Sequence, residues 1–239
     1  MQCVRRLRLR PVLQYRRMGA DVSSGALDAP LTTRSGTRKR GALSRCDAEG
    51  SVLFVCDLQE RFQSIIHEFE TVTKTARMLI EAARALKIPI VVTEQYPERL
   101  GPTVQELSDA LSHPAPDEDI KIIPKTRFSM MVEDNNYPSE DRQTVILCGI
   151  EAHVCVLQTA LDLLFDGHTV FIVKDGVSSS RQNDRVTAIN RLENAGAVIT
   201  TAESVLFDMM RDAKHPNFRE VSKMVKTRAK EPNAFADDS

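Results

Sequence analysis

With 239 residues and 42% apolar side chains, the chain is long enough for one sizeable core, and two domains would be crowded. Aromatics make up 5% and Trp is absent, so no platform for stacked bases or a membrane-interface belt stands out. The net charge of −1 hides an asymmetry: residues 1–46 hold eleven Lys and Arg against Asp21 and Asp28, a net of +9, which leaves −10 for the rest. A folded part that acidic argues against nucleic acid as its partner.

No apolar run approaches the roughly 20 residues of a membrane span, so no membrane partner is expected. Five cysteines (Cys3, Cys46, Cys56, Cys148 and Cys155) form no C-x-x-C pair. An odd number without a secretory apolar segment points to a reducing, intracellular compartment and no disulfide framework. Cys56 and Cys148 lie inside strand-like apolar runs, where packing is the expected role.

Residues 1–50 read as a disordered basic extension. The first twenty are Arg-rich and free of acids, and a Ser/Thr/Gly-rich stretch follows. That composition matches a mitochondrial transit peptide, and it equally fits an unprocessed tail on a cytoplasmic protein. From Ser51 a strand–helix alternation begins. Ser51 to Cys56 is an apolar strand ending on Asp57, and a helix follows from about Val72 to Leu86. Ile88 to Thr93 is a second strand, closed by Glu94-Gln95-Tyr96-Pro97. Thr103 to Leu111 is a short helix, and a Pro- and Asp-containing loop leads to a third strand, Ile120 to Ile123. Thr144 to Cys148 is a fourth strand, turning at Gly149 into a helix from about Ala152 to Phe165. Its apolar stripe falls on Val154, Leu157, Ala160, Leu161 and Leu164, which places Cys155 off the stripe with Gln158, Thr159 and Asp162. His168 to Val173, ending on Asp175, is a fifth strand. A helix from Asn183 to Asn194, a strand from Ala197 to Thr200, and helices over 203–211 and 218–227 complete the domain, 51–229. Residues 230–239 read as a flexible tail. Strands alternating with helices of this length mean repeated βαβ units and a parallel sheet covered on both faces.

In such a sheet, ligands bind beyond the carboxyl ends of the strands. Asp57, Gln95, Tyr96, Lys125, Cys155 and Asp175 stand there. No G-x-G-x-x-G or G-x-x-x-x-G-K-[ST] is present, so dinucleotide and P-loop readings lose their main support. None of the five histidines pairs with another ligand at a metal-site spacing. His153 lies two positions before Cys155, where helical side chains point apart. A cysteine nucleophile would need another base, and Asp57 can be that base, with the Lys125 ammonium steadying the thiolate. Each residue also has a plainer reading: Asp57 capping a turn, Lys125 solvated, Cys155 an inert half-buried thiol.

Five stretches then carry a resemblance. They are Cys-Asp57-Leu-Gln59-Glu-Arg-Phe62, Thr-Glu94-Gln95-Tyr96-Pro97, Pro-Lys125-Thr-Arg-Phe128-Ser129-Met, Cys-Gly149-Ile150-Glu151-Ala-His153-Val-Cys155 and Asp175-Gly-Val-Ser-Ser179-Ser-Arg181. In that order, over residues 51–215, the chain resembles the isochorismatase-like cysteine hydrolases, most closely the animal isochorismatase domain-containing proteins. The resemblance implies a three-layer α/β/α Rossmann-like sandwich with a six-stranded parallel sheet. It implies a catalytic triad of Asp57, Lys125 and Cys155. It also implies a cis Ile150–Glu151 peptide that directs the Glu151 N–H, with that of Cys155, as an oxyanion hole. Gln59, Phe62, Gln95, Tyr96 and Phe128 are the expected pocket wall.

The nicotinamidase branch of the family carries an Asp/His metal site between the first two strand ends, and no such D-x-H cluster is present there. The expectation is therefore a hydrolase with no metal and no cofactor, acting on a small amide-like metabolite through a thioester on Cys155. Vinyl-ether hydrolysis with Asp57 as proton donor is the alternative, and a non-catalytic scaffold a third reading. Family resemblance further implies a homo-oligomer, dimer or tetramer.

Overall fold

Every residue of Ser-Val-Leu-Phe-Val-Cys, Ser51–Cys56, is buried, which only a strand covered on both faces allows. In the computed structural model, which describes residues 44–231 and Phe235, this segment is β1, at the centre of an all-parallel sheet. The sheet order is β3-β2-β1-β4-β5-β6, built from β2 (Ile90–Gln95), β3 (Ile120–Lys125), β4 (Thr144–Gly149), β5 (Thr169–Val177) and β6 (Val198–Thr200). β1 pairs with β2 from Leu53↔Ile90 to Cys56↔Thr93, and with β4 from Ser51↔Thr144 to Cys56↔Gly149. The chain runs outward through β2 and β3, then crosses back to β4. The carboxyl ends of β1 and β4 therefore flank the switch point where such sheets bind ligands.

Alternation along β1 supplies two core layers. Leu53 and Val55 face α1 (Phe69–Ala85), α6 (Ala202–Met210) and α7 (Phe218–Arg228), through residues such as Leu79, Leu206 and Val225. Val52, Phe54 and Cys56 face α4 (Leu157–Phe165) and α5 (Gln182–Ala195), through Ala160, Leu163, Ala188 and Leu192. The six-stranded three-layer sandwich is as the sequence predicts. Among the described residues no helix is long and apolar enough to cross a membrane.

The differences have local causes. β3 runs on through Pro124 to Lys125, which its edge position tolerates. Pro97–Leu100 forms a short helix, α2, where only a strand closure was expected, and α3 is Gln105–Leu111. The expected single helix over 152–165 begins instead with one π-turn, Ala152–Val156, in which Val156 N–H reaches back to Glu151 O at 3.2 Å. The extra residue per turn rotates the helix relative to a 3.6-residue reading. Cys155, Thr159 and Leu163 are therefore buried, whereas Val154, Leu161 and Leu164 are half-buried. Cys155 belongs to the core side and not to a polar face.

Both edges of the domain shift as well. Cys46 was assigned to the extension, yet it is fully buried, its N–H donating to Asp208 Oδ2 at 2.7 Å and its carbonyl accepting from Arg211 Nη2 at 3.1 Å. Residues 44–50 thus join the fold, while 1–43, with the transit-peptide reading, lie outside the described residues. Phe235, assigned to the flexible tail, is buried with the Arg185 guanidinium 3.8 Å from its ring centre. Residues 232–234 and 236–239 lie outside the described residues.

Candidate active site

Two strand-end turns and the π-turn bring the candidate residues together. β1 ends in a left-handed turn at Asp57, φ 52°, held by Asp57 N–H donating to Thr93 O at 3.1 Å. β4 ends at Gly149, φ +113°, so close to β1 that a Cβ would lie 2.1 Å from Cys56 O. Only glycine fits both the conformation and the space. Ile150 N–H then donates to Cys56 O at 2.9 Å, and the Ile150–Glu151 peptide is cis. The π-turn follows at once and lowers Cys155 onto the end of β1. Thr159 Oγ1 donates to Cys155 O at 2.7 Å and accepts from Met130 N–H at 2.9 Å, tying the turn to the loop after β3. The β5–α5 loop ties it from the other side: Ala152 N–H donates to Ser178 O at 2.7 Å and Ser180 N–H to Glu151 Oε2 at 2.8 Å.

At the centre, Cys56 Sγ, Cys155 Sγ and an Asp57 carboxylate oxygen lie within 4.8 Å of one another, all buried. Lys125 Nζ donates to Asp57 Oδ2 at 2.7 Å in an ion pair whose side chains are 0% and 1% exposed. The ammonium also donates to Gln95 Oε1 at 2.6 Å, Phe128 O at 3.0 Å and Arg127 O at 3.2 Å. Thr93 Oγ1 donates to the other carboxylate oxygen, Asp57 Oδ1, at 2.8 Å.

Burial pushes the Asp57 carboxyl above its ordinary 3.8, against the opposing pull of Lys125, Thr93 and Cys155. For Lys125 burial is the largest single influence and acts downward, but the surrounding acidic groups Cys56, Asp57 and Cys155 and the hydrogen bond to Asp57 outweigh it and hold the ammonium above its ordinary 10.5. Burial also pushes the Cys56 thiol well up, reinforced by hydrogen bonding with Cys155 and by the Asp57 charge. The site thus combines a carboxylate ready to accept a proton, a permanent cation and two sulfurs.

The expected triad residues converge. The expected pocket wall separates. Gln59 is fully buried and clamps backbone, accepting from Gln95 N–H at 2.8 Å and donating to Gln95 O at 3.0 Å and Gly101 O at 2.7 Å. Gln95 orients Lys125. Phe62 packs half-buried against the α1-side core. Tyr96, 40% exposed, borders an open cleft of about 670 Å³ with Glu98, Lys125, Arg127 and Glu133. Phe128 is 50% exposed and contributes its carbonyl. Asp175 stands apart from the cluster and accepts from Ala202 N–H at 2.9 Å at the start of α6. A second groove, lined by Lys74, Arg77, Glu106 and Lys223, lies between α1 and α7, remote from this chemistry.

Two residues escaped the sequence reading. Thr93 is the polar end of an apolar strand, and an in-register pairing of β1 with β2 would have placed it opposite Cys56. Cys56 was read as packing, because the alternation that buries it also aims it at the face that receives Cys155. Of metal ligands, the cluster offers two sulfurs and one carboxylate. The Lys125 ammonium already occupies the position beside that carboxylate where a cation would sit. The residues do not fit a resident metal.

Known proteins with these features are readily found. Isochorismatase domain-containing protein 2 of Danio rerio is 46% identical over 186 residues, 77% of this chain and 90% of that protein. A "Secreted isochorismatase effector Isc1" of Phytophthora sojae is 44% identical over 199 residues, 81% of this chain and 92% of that protein. The solved structure titled MAR1 ribonuclease, from Caenorhabditis elegans, superposes with a TM-score of 0.73 at 46% identity, covering 77% of this chain and 93% of that one. Residues 51–204, which hold every residue of the site, match the isochorismatase domain, so the chain belongs to the isochorismatase family, whose members are generally hydrolases.

Proposed function

We propose that the protein is a metal-independent cysteine hydrolase that cleaves the carbon–nitrogen bond of a small amide-like metabolite. The observation that carries this is the buried Asp57–Lys125 pair, 2.7 Å apart, with the Cys155 sulfur within 4.8 Å of the carboxylate. Asp57 takes the Cys155 proton, and the sulfur attacks the carbonyl carbon. The tetrahedral oxyanion rests on the N–H groups of Glu151 and Cys155, each such donor contributing roughly 3 kcal/mol in comparable sites. Asp57 returns the proton to the nitrogen as the carbon–nitrogen bond breaks, leaving a thioester. Water, deprotonated by Asp57, then attacks the thioester and releases the acid and Cys155. Lys125 keeps the carboxylate and thiolate charges compensated throughout, with Thr93 and Gln95 holding the pair in place. The cleft bordered by Tyr96 and Lys125 is the approach for substrate. The working form is a homo-oligomer, which sedimentation velocity measures.

A second reading is vinyl-ether hydrolysis, favoured by one observation: a carboxyl raised by burial can donate a proton with no help from cysteine. A panel of small amides and vinyl ethers, assayed with wild type, Cys155→Ala and Asp57→Asn, separates the two. Loss of amide hydrolysis in both variants supports the first. Ether hydrolysis that survives Cys155→Ala but not Asp57→Asn supports the second. Ribonuclease action, named for the nematode relative, is disfavoured by the net −10 of residues 47–239 and by a lysine whose side chain has no exposed surface.

A further inference from the structure

A thiolate at Cys155 needs hydrogen-bond donors, and the obvious one is committed elsewhere. The Lys125 ammonium has three N–H bonds and four oxygens around it, from Asp57, Gln95, Phe128 and Arg127, at 2.6 to 3.2 Å. The Thr93 hydroxyl is directed at Asp57 Oδ1. The Thr159 hydroxyl donates to the Cys155 carbonyl, away from its sulfur. Cys155 packs in the apolar layer that also holds Phe54, Cys56 and Val156. Beside the proton that Asp57 removes, the cluster holds one more side-chain hydrogen, on Cys56, whose sulfur lies within 4.8 Å of the Cys155 sulfur and which has no exposed surface.

We propose that Cys56 is a positioning residue whose thiol donates a hydrogen bond to the Cys155 sulfur and stabilises its thiolate. The inference rests on the reading of Cys155 as nucleophile. The register makes the arrangement rigid: Cys56 pairs with Thr93 on one side and Gly149 on the other, and its carbonyl accepts from Ile150 N–H. Its side chain therefore has a fixed direction under the π-turn. Burial, hydrogen bonding with Cys155 and the Asp57 charge push the Cys56 thiol well up, in keeping with Cys56 as the donor of the two adjacent sulfurs. Oxygen at position 56 would serve as a donor too, whereas a methyl group would not.

The test is the rate of Cys155 alkylation by iodoacetamide against pH, followed by peptide mass mapping, in the full chain carrying wild type, Cys56→Ala or Cys56→Ser. The high-pH plateau reports access to the sulfur, and the midpoint reports thiolate stabilisation. Loss of a weak sulfur donor to an ion is expected to slow alkylation at neutral pH about fivefold in Cys56→Ala, by raising the midpoint and leaving the plateau unchanged or faster. Cys56→Ser, nearly isosteric, is expected to hold the midpoint at or below the wild-type value, and Cys56→Val, apolar and suited to a central strand, takes the place of Cys56→Ala should that variant fail to fold. A midpoint independent of residue 56, or one raised in Cys56→Ser, overturns the inference while leaving Cys155 as nucleophile. Failure of wild-type Cys155 to alkylate at any pH overturns the nucleophile itself and the inference with it.

Discussion

Replacing Lys125 by Met removes the ammonium while keeping most of the stem's volume. The structure says what is then left behind. Asp57 Oδ2, Gln95 Oε1 and the carbonyls of Arg127 and Phe128 lose a donor at 2.6 to 3.2 Å, in a place where the pair has essentially no exposed surface. Breaking one half of a buried ion pair costs about 4 kcal/mol, and at roughly 3 °C per kcal/mol for a domain of this size the melting temperature should fall by about 12 °C at neutral pH. The loss should depend on pH. Without the ammonium, the Asp57 carboxyl, already raised by burial above 3.8, moves further up. A group raised on folding stabilises the fold fully below its unfolded value and loses that contribution as pH rises through the folded one. The variant should therefore approach wild type near pH 4 and fall furthest behind at pH 7 and above. Differential scanning calorimetry between pH 4 and 8 measures both, and Asp57→Asn added to Lys125→Met should recover part of the loss. A deficit under about 3 °C at pH 7, or one that does not change with pH, would refute the account of a desolvated pair.

Further expectations rest on single contacts. Thr93→Val deletes the donor to Asp57 Oδ1, so the carboxyl should rise again, by about one pH unit for a hydrogen bond to an ion of about 1.5 kcal/mol; the acid limb of the pH–rate profile should move up with it. Gly149→Ala places a methyl 2.1 Å from Cys56 O at φ +113°, and should lower stability by more than about 3 kcal/mol in urea titrations, or prevent soluble expression. Phe235→Ala removes the ring lying 3.8 Å from the buried Arg185 guanidinium and should cost about 2 kcal/mol by the same titration, where a free tail would cost nothing.

The sheet was legible because β1, β2 and β4 are apolar on both faces and separated by helices, a pattern with few other solutions. The three candidate residues Asp57, Lys125 and Cys155 were legible because each stands at or just beyond a strand end, where the topology gathers side chains regardless of register. What the sequence hid depends on register and helix phase. Thr93 acquires its role from pairing opposite Cys56, and Cys56 from the face on which it happens to point. Cys155 was placed on a polar face because a uniform 3.6-residue period cannot anticipate a π-turn. Gln59, which shares a motif with Asp57, and Gln95, in the stretch closing β2, stand there for a structural reason, since one clamps backbone and the other orients Lys125. Cys46 and Phe235 look like tail residues until their long-range partners Asp208 and Arg185 are known.

The central claim is that Cys155 carries the substrate covalently. Intact-protein mass spectrometry after brief exposure to a panel of small amides, with acid quench, compares wild type with Cys155→Ala. The account predicts a substrate-dependent mass increase that maps to Cys155 and is absent in the variant. Turnover of an amide with no adduct at any quench time, and with undiminished rate in Cys155→Ala, would contradict it.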